Sequence, residues 1–193
     1  GVAVPEVAIQ NGGGIRNNNL IPAGPISELT TFDIAPFSNF VTVIPDVDRE
    51  VFRQALERGV ESAPDAAGNF AQVSGFEFVY DATRSEQVID PDGNIVTPGD
   101  RVTSIVLDDG TVICCDAGNA VVAGAGIGVA TIDFLARGGD GYPFSGLPFT
   151  AIGVSYQQAL ANYITAPVAD GALGGVISAA DYPEGGEGRI IAQ

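Results

Sequence analysis

An apolar run from Val4 to Ile9 leads directly into Gln10-Asn11-Gly12-Gly13-Gly14-Ile15-Arg16. The run reads as a buried strand. Three consecutive glycines at its end cost backbone entropy and give the core nothing to pack. Such a junction makes sense where the chain turns sharply, or where a ligand or another backbone comes very close. The flanking amide and guanidinium leave two readings open: a glycine-rich turn with solvated neighbours, or a ligand-binding loop. The spacing is neither the G-x-G-x-x-G dinucleotide pattern nor a Walker A loop, which requires Lys-Ser/Thr after the glycines.

Absences narrow the chemistry. The 193 residues include no histidine, and all 8 basic residues are arginines against 24 Asp and Glu, for a formal charge of −16. A surface of that sign repels nucleic-acid phosphates and anionic lipids, so neither is an expected partner. It also favours solubility in a saline or extracellular setting. Without histidine the commonest general base and transition-metal ligand is missing. The adjacent Cys114 and Cys115 lack zinc-site spacing. Strand neighbours point to opposite faces, so a bond between them would close a strained ring. Such pairs are more often two buried thiols, or one buried and one exposed, which leaves their redox state open. No catalytic residues, metal ligands or bound cofactor are expected in this chain. No apolar stretch reaches the ~18 residues of a membrane span, and no cationic leader opens the chain. The N-terminus looks like that of a mature or excised piece.

With 46% hydrophobic residues, the length suits one domain, residues 1–193, with a substantial core. Ile26 to Ile34 reads as a short helix with Ser27 as N-cap, and Phe40 to Ile44 as a strand. Asp48 to Val60 is the strongest helix: Val51, Phe52, Ala55, Leu56 and Val60 form an apolar stripe, with Arg49, Arg53, Glu57 and Arg58 on the other side. Phe76 to Tyr80, Arg101 to Leu107 and Thr111 to Cys114 read as strands, the last two joined by the turn Asp108-Asp109-Gly110. Ala120 to Leu135 changes from strand to helix. Ser155 to about Ala166 forms a second amphipathic helix (Tyr156, Ala159, Leu160, Tyr163 and Ile164 on its apolar face), capped by Ser155 and stopped by Pro167. Gly188 to Ile191 supplies a last short strand. Together these elements argue for an α+β or mixed α/β domain.

Three further stretches share the character of the first: Pro36-Phe37-Ser38-Asn39, Gly138-Gly139-Asp140-Gly141-Tyr142 and Gly188-Arg189-Ile190. Singly they have plain explanations: a core phenylalanine, a helix terminator, a half-buried tyrosine. Jointly, two loop aromatics, two asparagines and an arginine suit a planar, polar, phosphorylated ligand. Rings stack on a base, amides read its edge, and a guanidinium meets anionic oxygen.

The ordered set Asn11-Gly12-Gly13-Gly14-Ile15-Arg16, Pro36-Phe37-Ser38-Asn39, the helix around Phe52 to Leu56, Phe134-Leu135-Ala136-Arg137-Gly138-Gly139-Asp140-Gly141-Tyr142, Tyr163-Ile164 and Gly188-Arg189-Ile190 resembles the C-terminal domain of the 5'-nucleotidase family, from about Val4 to Ile191. The resemblance implies a layered mixed sheet with flanking helices. It implies a nucleotide or nucleoside ligand, with Phe37 and Tyr142 clamping the base and Asn11, Arg16 and Asn39 contacting base, ribose or phosphate. It also implies a partner metallophosphatase domain that holds a divalent metal pair and cuts the phosphoester, and a secreted, periplasmic or cell-surface location. Two departures stand out. The family's acidic ribose contact, a few residues beyond the second aromatic, falls on Ser145-Gly146-Leu147-Pro148. The chain is also expected to lack the helix that normally opens the domain, which would leave apolar surface at Val4 to Ile9 and along Val51 to Val60 for contact with another polypeptide or self-association. On that basis the alternative role is a non-catalytic structural or adhesive subunit of an extracellular assembly.

Overall fold

β-branched and aromatic residues at alternating positions divide the chain between two sheets. The protein is described by a computed structural model covering residues 3–115, 120–183 and 185–193. In chain order the described elements are β1 (Val7–Asn11), α1 (Glu28–Ile34), β2 (Phe40–Val47), α2 (Arg49–Gly59), β3 (Ala71–Ser74), β4 (Phe76–Tyr80), β5 (Val88–Ile89), β6 (Ile95–Thr97), β7 (Val102–Leu107), β8 (Val112–Cys114), β9 (Ile127–Ile132), α3 (Asp133–Ala136), β10 (Thr150–Ser155), α4 (Tyr156–Thr165) and β11 (Ile190–Ala192). One sheet runs β10-β2-β9-β1-β3 and the other β11-β4-β7-β8, with β5 and β6 as a separate pair. Parallel pairings β1 with β9 and β4 with β11 sit among antiparallel ones, so both main sheets are mixed. The α+β class expected from the sequence is what the chain adopts.

The first strand starts three residues later than the apolar run, and Val4 is 88% exposed. Val7 and Ile9 then face the core while Ala8 and Gln10 line a shallow apolar trough on the other face with Val41, Val73, Ala130 and Ile132. On α2, Asp48 accepts the Glu50 N–H at 2.8 Å, as an N-cap should. Phe52, Ala55, Leu56 and Val60 join one core cluster with Val7, Ile9, Phe76, Phe78, Val102 and Ile105, so both sheets share the same interior around this helix. The stripe expected to lack cover is therefore buried within the chain.

The other side of α2 departs from expectation. Arg53 and Glu57 are buried rather than solvated. The chain entering β7 crosses that face, and the Arg101 and Val102 N–H groups each donate to the Glu57 carboxylate at 3.0 Å. Arg53 Nη1 donates to Glu57 Oε1 at 3.0 Å, and Arg101 Nη1 donates to the carbonyls of Val60, Glu61 and Ala63. Arg101 thus gathers the carbonyls of the turn that follows α2.

On α4, Ser155 accepts the Gln158 N–H at 3.1 Å. Of its expected apolar face, Ile164 is buried, whereas Tyr163 is exposed and the buried Gln157 donates to Thr31 Oγ1 of α1 at 2.7 Å. Cys114 and Cys115, whose redox state the sequence leaves open, are joined in a disulfide. Among the described residues no helix is long and apolar enough to cross a membrane.

Candidate functional site at the strand ends

Sheet direction gathers the quoted motifs at one end of the five-stranded sheet. β1 and β9 run parallel, and β10 and β9 both lie antiparallel to β2. The carboxyl ends of β1, β9 and β10 therefore meet the start of β2. From these ends leave the glycine loop, α3, the first residue of α4 and the loop carrying Phe37 and Asn39. Loops outside strand carboxyl ends are where sheet-based domains commonly hold ligands.

Gly12–Gly14 form a single 3-10 turn. The Gly12 and Gly13 N–H groups donate to the Phe70 and Gly68 carbonyls, each at 2.7 Å. A Cβ on Gly13 would lie 3.1 Å from Gly68 Cα, and one on Gly14 would strike the side-chain amide of Gln10. The glycines thus permit close approach of one backbone to another. Beyond the turn, the Arg16 N–H donates to the Ile34 carbonyl at 2.8 Å, and its guanidinium carbon lies 5.2 Å from the centroid of the Phe37 ring. That is cation–π range. Phe37 is 43% exposed.

Tyr156 ties the backbone of the Phe37–Asn39 loop to the glycine turn that precedes Arg16. The Phe37 N–H donates to Tyr156 Oη at 2.9 Å, and that hydroxyl donates to the Gly14 carbonyl at 3.1 Å. The Tyr156 N–H donates to the Asn39 carbonyl at 3.1 Å. Burial raises the Tyr156 hydroxyl pKa, partly offset by the Phe37 N–H and the Arg16 charge, so it stays protonated at neutral pH.

Asn11 sits differently. It is buried, with Nδ2 donating to Asp140 Oδ2 at 2.6 Å and Oδ1 accepting from Gln10 Nε2 at 2.8 Å. Its amide fastens the glycine loop to the loop at residues 138–141. Asp140 takes a left-handed conformation (φ 55°), and its carbonyl accepts from Arg58 Nε at 2.7 Å.

Tyr142 does not face Phe37 across a cleft. It is 2% exposed, its ring lies 5.8 Å from that of Phe144, and its hydroxyl donates to the Asn69 carbonyl at 2.8 Å. Burial pushes its hydroxyl pKa far up. The cause is local: the turn at Gly138–Gly141, with positive φ at Gly138, Asp140 and Gly141, folds the chain back beneath the end of α2.

The exposed aromatic of this segment is Phe134, at 41%. Leu135 and Ala136 face the core, which turns Phe134 outward on this one-turn helix, and its ring covers Gly139. The Phe40 N–H donates to Asp133 Oδ1 at 2.9 Å, tying the Phe37 loop to the start of α3. The sequence reading passed over Phe134, Asp140 and Tyr156. Phe134 and Asp140 lay inside a quoted motif, whereas Tyr156 carried only a helix-packing signal. Arg189 belongs elsewhere, paired with both Asp108 carboxylate oxygens at 2.9 and 3.2 Å beside the β7–β8 turn. Among the described residues no group of three or more His, Cys, Asp or Glu side chains is placed to hold a metal ion.

The profile of the family described as "5'-nucleotidase, C-terminal domain" matches residues 2–146. The Trifunctional nucleotide phosphoesterase protein YfkN of Bacillus subtilis is 29% identical over 139 residues, covering 71% of this chain and 8% of its own. Snake venom 5'-nucleotidase of Naja atra is 30% identical over 148 residues, covering 71% of this chain and 24% of its own. The crystal structure of a 5'-nucleotidase precursor from Thermus thermophilus superposes on 97% of this chain and 31% of its own, with a TM-score of 0.69 and 27% identity. The chain thus spans less than a third of each of these relatives.

Proposed function

Because this chain belongs to the 5'-nucleotidase C-terminal domain family, we propose that it is the nucleotide-recognition module of a larger phosphoesterase. The observation that carries the reading is the Arg16 guanidinium held against the exposed Phe37 ring at the strand ends. A guanidinium on one face stiffens the ring and leaves the other face for a base to stack on, while its remaining N–H groups meet anionic oxygen.

Phe134 replaces Tyr142 as the second aromatic wall, since it is the exposed ring on the neighbouring segment. Asp140 then follows six residues after it in the sequence and takes the place of the acidic ribose contact. Asn11 acts through Asp140, holding that carboxylate in position. Asn39 supplies an amide beside the ring. The phosphoester is cut by a separate metallophosphatase domain carrying its own metal pair. A secreted, periplasmic or cell-surface setting suits the charge of −16 and the naming of the Naja atra relative as a venom protein.

Calorimetric titration of the chain with AMP tests this. Saturable binding that Phe37→Ala weakens is expected. A folded chain that gives no heat with AMP, GMP, CMP or UMP overturns the proposal.

A further inference from the structure

We propose that Tyr156 is the positioning residue of this site, setting the Phe37 ring against Arg16 and the glycine loop; the inference rests on the nucleotide-recognition reading. Three hydrogen bonds converge on it from two separate loops of the site, the turn after β1 and the loop before β2. Its hydroxyl accepts from the Phe37 N–H and donates to the Gly14 carbonyl, and its own N–H donates to the Asn39 carbonyl. The hydroxyl thus uses both its donor and an acceptor position on backbone groups.

The hydroxyl bridges loops that have no strand ladder between them. Gly14 lies in the turn after β1, whereas Phe37 precedes β2. Pro36 to Asn39 belong to no helix or strand, so the orientation of Phe37 depends on what its backbone bonds to. A tyrosine at the first position of α4, anchored by the capped start of that helix, is a rigid post for this purpose. Residue 156 also lies beyond the stretch matched by the family profile, so the assignment comes from geometry in this chain.

The chain has no tryptophan, which makes a local optical probe available. Phe37→Trp places a single indole at the ring position and keeps a stacking surface for AMP. Adding Tyr156→Phe should shift the emission maximum to the red and weaken AMP binding about tenfold, the equivalent of one to two hydrogen bonds. Far-UV circular dichroism should stay unchanged. Tyr163→Phe, on the exposed side of the same helix, should leave emission and affinity as they were.

If Phe37→Ala leaves AMP affinity unchanged, the site reading itself fails. If Phe37→Ala weakens AMP while Tyr156→Phe matches the parent in emission and affinity, the Tyr156 assignment fails and the site stands. Should Tyr156→Phe not fold, amide hydrogen exchange in the unmodified chain decides. A protected Phe37 N–H supports the assignment, and exchange at the rate of an open loop overturns it.

Discussion

Arg101 and Arg16 show two uses of the same side chain in one fold. Arg101 is buried, and one of its nitrogens serves three carbonyls at the end of α2 while its backbone N–H serves Glu57. The folded chain consumes its donors. Arg16 is exposed, and the contact made by its guanidinium is the face of Phe37. In the interior each charge is matched, because an unmatched buried charge costs several kcal/mol. At the strand ends a charge and a ring stay open to solvent, and such residues are available to a ligand.

The sharpest way to break this contrast is Glu57→Ala. It removes one of the acceptors of Arg53, which keeps Glu50, and leaves the buried Arg101 and Val102 N–H groups without theirs. Stability should fall by about 2–6 kcal/mol, at about 1–3 kcal/mol for each unsatisfied group. Denaturant unfolding measures the loss, and AMP affinity of the folded protein should not change. A small stability loss with weakened AMP binding would reverse the roles given to the two regions.

On the open side, Phe37→Ala and Phe134→Ala should each cost about 1–3 kcal/mol of nucleotide binding, the value of one stacking partner. Neither should lower the melting temperature, since both rings are more than 40% exposed. Equal affinity after Phe134→Ala would remove it as the second wall. Arg16→Ala should weaken AMP more than adenosine, and that difference should shrink as salt rises. An equal effect on both ligands would take the phosphate away from Arg16.

The smallest effect separates the two regions at the buried Tyr142. Tyr142→Phe should cost about 1 kcal/mol of stability, because the Asn69 carbonyl loses its buried partner, and nothing in AMP affinity. A hydroxyl in an open cleft would cost nothing to remove.

Much of the fold is legible in residue order. Helix α2 shows in its stripe and its Asp48 cap, α4 in the Ser155 and Gln158 pair, and β7–β8 in Asp108-Asp109-Gly110. Arg53 and Glu57 defeat the helical wheel because they are covered by a strand entry more than 40 residues away. Tyr142 and Phe134 flank the same motif, and an aromatic letter carries no direction. The direction comes from a one-turn helix that buries Leu135 and Ala136, and from three positive-φ residues that turn Tyr142 inward.

The sequence by itself determined the α+β class, the family, and the motif loops that meet at the strand ends, because these rest on periodicity, turn residues and motif order. Tertiary structure decided which side chains in those loops remain free. Asn11 is taken up by Asp140, Tyr142 by the core and Asn69, while Arg16, Phe37 and Phe134 stay exposed. Availability of a polar or aromatic group is set by whatever partner lies within hydrogen-bond or packing distance. Those partners lie 129 and 73 residues away in sequence, so no local pattern could register them.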